Sequence, residues 1–190
     1  MTPDEPPARR PAPGALRLVQ DFCNSTDFEA GFDLIADPQG LTDWLAAAGH
    51  PPAQPISVGD VRRAIRFREA LRDFVTVSAR PEDAAECVER GRAVLDAEAA
   101  GLPLQVRFGA TVEFRPASDG LAGALSAMLA ALALGQADGS ARRLKACEAD
   151  SCRWVFYDQS RNGSSRWCTM SLCGARSKNR AYRRRLRESA

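Results

Sequence analysis

Residues 147–176 read CEADSCRWVFYDQSRNGSSRWCTMSLCGAR, and the four cysteines in this stretch decide how the C-terminal part of the chain folds. Cys147, Cys152, Cys168 and Cys173 follow the pattern C-x4-C-x15-C-x4-C, two equal pairs either side of a hairpin-sized connection. Zinc takes four ligands in a tetrahedron with Zn–S near ~2.3 Å, and thiolates alone meet that need. A tight pair on each side of a short gap is how a small segment gathers them. The same residues also admit two disulfides, buried thiols or an iron–sulfur cluster. Disulfides need an oxidising compartment. Residues 1–20, MTPDEPPARRPAPGALRLVQ, contain no apolar h-region. A reduced cytoplasm is therefore expected, and there paired cysteines favour one structural zinc. Four thiolates leave no open position for water, so the ion would shape the chain without doing chemistry. Cys23 and Cys87 lie among apolar neighbours and read as ordinary buried thiols.

Working outward, Trp154 to Tyr157 form a compact strand, and Asp158 to Gly163 supply turn chemistry that returns the second pair to the first. Residues 169–188 read as a helix capped by Thr169 or Ser171. Leu172, Ala175, Asn179, Tyr182 and Leu186 share one side, expected to pack on the hairpin. Arg176, Arg180, Arg183, Arg184 and Arg187 share the adjacent side. The order knuckle, hairpin, helix is treble-clef-like. Such a module has too little core to fold unaided, so metal should supply much of its folding free energy. Loss of one cysteine is expected to unfold the module and spare the rest. Trp154, Tyr157 and Trp167 read as a cover over the metal site, with a stacking surface for single strands as the alternative.

Charge divides the chain in the same place. Residues 142–190 carry 13 Lys+Arg against 4 Asp+Glu, a net +9, while residues 1–141 carry 13 against 20, a net −7. That asymmetry points to a basic end for a polyanion on an acidic body. The expected plan is a disordered leader over 1–15, a helical domain over 16–140 and the metal module over 141–190. The fold class is mainly α with a small β-hairpin (α+β), followed by the small zinc finger ending in its basic helix.

Order is expected from Leu16, where LRLVQDFCNST alternates weakly. Helices are expected over Asp43–Ala48, from Asp60 through Ser78, from Pro81 to Ala100 and from Asp119 to Leu134. Leu104–Phe108 and Val112–Arg115 alternate about Gly109-Ala110 as a hairpin. Leu121 to Leu134 is too short to span a bilayer and reads as a buried helix. There is no P-loop, no dinucleotide fingerprint and no zinc-protease motif. The single histidine, His50, precedes two prolines in a loop and reads as a solvated residue, so no enzyme is expected. Asp21, Asn24 and Thr26 near Trp44 are candidates for sensing a small-molecule effector, against the plainer reading that they cap and turn the chain.

The finger region resembles the CGNR zinc finger family. W-V-F-Y-D follows the first cysteine pair, S-R-N-G lies in the turn, R-W-C-T-M precedes the last cysteine and Gly174 follows it. The likeness spans roughly residues 142–187. Upstream, LRLVQDFCNSTD and DPQGLTDWLAAAG are similar to the ABATE domain that accompanies this finger in stress-induced transcription regulators. The resemblance implies zinc ligation by Cys147, Cys152, Cys168 and Cys173 and DNA binding by the finger. The family's Cys-Gly-Asn-Arg is here Cys173-Gly174-Ala175-Arg176, so the asparagine is replaced by Ala175.

The expected function is that of a bacterial-type transcription regulator on duplex DNA. Arg180, Arg183, Arg184 and Arg187 would meet phosphates, and Arg176 and Lys178 base edges. The alternatives are a zinc-stapled protein-interaction module and an RNA or single-strand binder. A palindromic operator would require a homodimer. The expected location is the cytoplasm, on the nucleoid if DNA is bound.

Overall fold

The computed structural model describes residues 11–76 and 81–188, apart from the side chains of Pro81, Ala181, Arg184 and Glu188. Of the expected leader, residues 1–10 lie outside the described residues, as does Ser78 of the expected third helix. Ordered contacts begin before Leu16. Ala12 is buried, and its N–H donates to Gln20 Oε1 at 2.6 Å.

The first element is a helix, α1 (Leu16–Cys23), in place of the weak alternation. Its buried residues Leu16, Val19, Phe22 and Cys23 recur at helical spacing. A two-residue pair, β1 (Thr26–Asp27) and β2 (Phe32–Asp33), follows. Helix α2 (Pro38–Ala47) starts five residues before the expected Asp43. Asp37 Oδ1 accepts from Gly40 N–H at 2.9 Å and Pro38 takes the first position, so the apparent turn is the cap. Helix α3 (Val58–Phe74) is opened by Ser57, not by Asp60. The two form a reciprocal capping box, in which Asp60 N–H donates to Ser57 Oγ and Ser57 N–H donates to Asp60 Oδ2.

Helix α4 (Pro81–Ala99) lies close along α3. Gly91 permits that approach, because a Cβ there would stand 2.5 Å from Ala70 O and 2.6 Å from Phe74 N. Strands β3 (Leu104–Phe108) and β4 (Val112–Pro116) pair as expected, with Leu104 opposite Pro116 and Phe108 opposite Val112. Helix α5 (Gly120–Ala137) is longer than expected and apolar on every side. Among the described residues it is the one helix long and apolar enough to cross a membrane. Here it runs through the core, with Leu121, Ala124, Leu125, Met128, Ala131 and Leu132 buried.

The strands that flank the first cysteine pair are built onto this helical body. Strands β5 (Leu144–Ala146) and β6 (Val155–Tyr157) pair antiparallel, and Leu144, Ala146 and Val155 belong to the same apolar core as Phe22, Phe67 and Met128. Ala146 N–H donates to Val75 O at 2.8 Å, continuing the chain end of α3 into the finger. A π-helical turn, Met170–Gly174, leads into the last helix, α6 (Ala175–Glu188).

Candidate metal centre

The first cysteine pair sits on a knuckle at the open end of the β5–β6 pair. Cys147 follows β5, and its N–H donates to Trp154 O at 2.9 Å. Cys152 N–H and Arg153 N–H both donate to Ala149 O, at 2.8 and 3.0 Å, which folds the intervening residues back. Arg153 takes φ +50°, an uncommon conformation for a residue with a Cβ. Its carbonyl is held by the fully buried Arg72, whose Nη1 donates at 2.7 Å while Nη2 donates to Cys23 O at 2.6 Å.

The second pair is placed by a braced loop. Lys145 and Asp158, both buried, form an ion pair at 2.7 Å between β5 and the end of β6. Lys145 Nζ also donates to Gly163 O and Ser165 O, and Asp158 accepts from Ser160 N–H and Ser165 N–H, each at 2.9 Å. Burial alone would raise the Asp158 pKa, but hydrogen bonds from Lys145 and Ser160 overcome it and hold the carboxyl well below its ordinary range. Arg143 adds donations to Asp158 O and Ser160 O. Glu148 N–H then donates to Arg166 O at 2.9 Å, which seats Cys168 beside the first pair. Cys173 arrives on the π-helical turn. Gly174 lets the Met170 side chain lie close over the turn, where a Cβ would stand 2.5 Å from Met170 Sδ and push that side chain aside.

All four sulfurs are buried and lie within 4.8 Å of one another. Cys152 and Cys168 are 3.6 Å apart, and Cys168 and Cys173 3.7 Å. A tetrahedron of ~2.3 Å Zn–S bonds has edges of about 3.8 Å, so the spacing fits one metal ion. It does not fit disulfides, whose sulfurs approach to about 2.05 Å. Joint ionisation of such crowded thiols needs a cation. Hydrogen bonds with Cys147 and Cys152 hold Cys168 far below the ordinary thiol range, whereas hydrogen bonds with Cys147 and Cys168, and burial, push Cys152 far above it. A divalent ion at the centroid would let all four serve as thiolates. Thr169 Oγ1 lies 3.8 Å from Cys168 Sγ and can donate to it. The donor set fits one structural zinc.

Other expected site residues fall differently. Cys23 is buried, and burial pushes its thiol up to about 12, but Cys87 is only half-buried and lies 3.4 Å from an Arg90 nitrogen. Trp154 and Trp167 pack against the cysteine cluster, while Tyr157 packs against the main core. Tyr157 and Trp167 also line one surface cavity beside Cys168, with Phe156 and Met170. The stripe containing Leu172, Tyr182 and Leu186 was expected to pack on the hairpin. Instead all three are exposed, because α6 projects from the π-helical turn away from β5–β6.

Arg180, Arg183 and Arg187 are exposed along one side of α6, about 17 Å from Arg176 to Arg187. The side chain of Arg184 lies outside the described residues. Lys178 is exposed but falls about 140–200° around the helix from that stripe. Arg176 is not free at its helix start, because Nη1 is paired with Glu29 in the β1–β2 turn.

The four effector candidates do not converge. Asn24 clamps the finger: its Nδ2 donates to Val155 O and its Oδ1 accepts from Val155 N–H, both at 2.8 Å. Thr26 Oγ1 donates to Phe32 O across the β1–β2 pair, and Asp21 pairs with Arg17. Trp44 meets Phe22 edge-on at 4.9 Å. Asp21 and Trp44 share a shallow surface groove with Leu18 and Ala48, from which Asn24 and Thr26 are absent. His50 is half-buried, not solvated, and burial, opposed by Asp119, holds its imidazole below the ordinary value. Sequence reasoning missed Lys145–Asp158, an ion pair across one short hairpin, and Arg72 and Glu29, whose partners lie far away in the chain.

Compared with known families, residues 143–186 match the CGNR zinc finger. Residues 16–145 match the ABATE family, described as "Putative stress-induced transcription regulator". No curated protein sequence matches the chain.

Proposed function

The chain belongs to the ABATE family over most of its length, and from that premise we propose that it is a zinc-dependent DNA-binding transcription regulator. In this reading Cys147, Cys152, Cys168 and Cys173 hold one zinc ion, whose part is to fix the turn that launches α6. The single observation that carries the reading is the exposed stripe Arg180, Arg183 and Arg187 on a helix whose entry turn contains a cysteine of the cluster. With Arg184, these guanidinium groups would meet successive phosphates. Arg176 would join them once released from Glu29, and Lys178, on another side, would reach a separate phosphate or stay in solvent. Four phosphate contacts would give a slope of about −3.6 in log K against log salt. A regulator of this kind would work in the cytoplasm, on duplex DNA.

The test is fluorescence anisotropy of a labelled random-sequence duplex at two salt concentrations, using the zinc-loaded and the chelated protein. Binding is expected only with zinc and should weaken steeply with salt. Zinc-loaded protein that ignores duplex DNA at low salt would overturn the proposal. Preference for a single strand in the same assay would transfer the function to that ligand.

A further inference from the structure

The β3–β4 hairpin carries an apolar face that the other described residues leave largely exposed. Leu104, Val106 and Phe108 alternate along β3 and pair with Pro116, Phe114 and Val112 on β4, so six apolar side chains share one side. The other side is polar, with Gln105 opposite Arg115 and Arg107 opposite Glu113. The hairpin runs alongside α5 through β4. Exposure rises from its root to its tip, from 36% at Leu104 through 47% at Val106 to 85% at Phe108, and from 42% at Phe114 to 56% at Val112.

We propose that this face is a homodimer interface, with the hairpin of a second copy packed against it about a two-fold axis near Val106 and Phe114. Three observations favour a second copy over another occupant. The exposure gradient is self-complementary. Antiparallel stacking sets the protruding Phe108–Val112 end of one copy on the recessed Leu104–Pro116 end of the other, as an isologous contact requires. The face carries no charge that would select an acidic or basic partner. Its area also suffices. With aromatic side chains of about 150–250 Å² and the exposures above, the face offers on the order of 500 Å² per copy, or about 1,000 Å² for a pair, near the threshold for a specific interface. Face-to-face stacking would make the two hairpins a four-stranded sandwich.

The test is sedimentation of the full zinc-loaded chain across a dilution series. A species of twice 20.6 kDa is expected, dissociating on dilution. Phe108→Glu should raise the dimer dissociation constant by at least ~100-fold, because each copy would bury a carboxylate on an apolar face. Its helical circular dichroism and zinc content should match the parent, which separates lost pairing from lost folding. A second probe places the photo-crosslinker p-benzoylphenylalanine at position 108. Crosslinks to residues 104–106 or 114–116 of the second copy are expected. A monomer at every concentration, a dimer indifferent to Phe108→Glu, or crosslinks mapping elsewhere would overturn the proposal. A monomer that still binds duplex DNA would sink this inference and leave the proposed function standing.

Discussion

Asp158 and Lys145 show how much of the metal centre rests on residues that never touch the metal. Their ion pair is buried, and the carboxylate also accepts from the N–H groups of Ser160 and Ser165. Removing one partner of such a pair leaves a charge with no counterpart and costs about 3–5 kcal/mol. Asp158→Asn is therefore expected to lower stability by that order in urea unfolding, and to loosen zinc. The pH dependence has the same origin. Asp158 and Asp33 both have folded-state pKa values below their ordinary ones. For Asp33 burial opposes the shift, and the bidentate Arg68 contact at 2.7 Å produces it. A depressed carboxyl contributes stability that is full above its unfolded value near ~3.9 and is lost as pH falls toward the lower folded value. Stability should hold from pH 7 to about 5 and fall below about 4, with a shallower fall in Asp158→Asn.

At the scale of elements, α6 is where expectation and structure part most. Its periodicity correctly separated an arginine stripe from an apolar one, because a helix repeats every 3.6 residues wherever it is placed. The outer part of the apolar stripe is left exposed among the described residues, at Tyr182 and Leu186. Periodicity states which residues share a side, not what that side meets. The Glu29–Arg176 pair makes the same point, since 147 positions separate the two. Glu29→Gln is expected to release Arg176 and tighten duplex DNA binding by a few-fold, with a salt slope steeper by about 0.9. Arg183→Ala should make the slope shallower by a similar amount and leave zinc stoichiometry at one. The caps are a milder case. Asp37 and Ser57 use standard capping chemistry, and only the choice between turn and first helical residue was misjudged.

Over the whole molecule, the β5–β6 root of the finger belongs to the core of the helical body, while the cysteines form a second cluster with Phe156, Trp154 and Trp167. Val155 is fully buried among residues of that core, Asn24 clamps its backbone on both sides, and Arg72 reaches from α3 to the knuckle carbonyl. The expectation that a lost cysteine would spare the helical domain therefore needs revision. Cys168→Ser should abolish stoichiometric zinc. It should also lower the melting temperature of the entire chain, seen as a single shifted transition in circular dichroism at 222 nm. Two transitions, with the upper one unmoved, would contradict this. Chelation of the parent protein should reproduce the shift.

The sequence by itself determined the features set by near neighbours in the chain: the paired cysteines, the turn between them, the helical and strand periodicities and the charge of the last fifty or so residues. Spacing, propensity and ligand chemistry act over a few positions, so one strand of text carries them. Folding in three dimensions set the rest: the finger is rooted in the helical core, Lys145 and Asp158 brace it, Glu29 engages Arg176, and the β3–β4 face stays largely exposed among the described residues. Each of these depends on which surfaces meet, and burial and ion pairing are properties of that meeting rather than of any local run of residues.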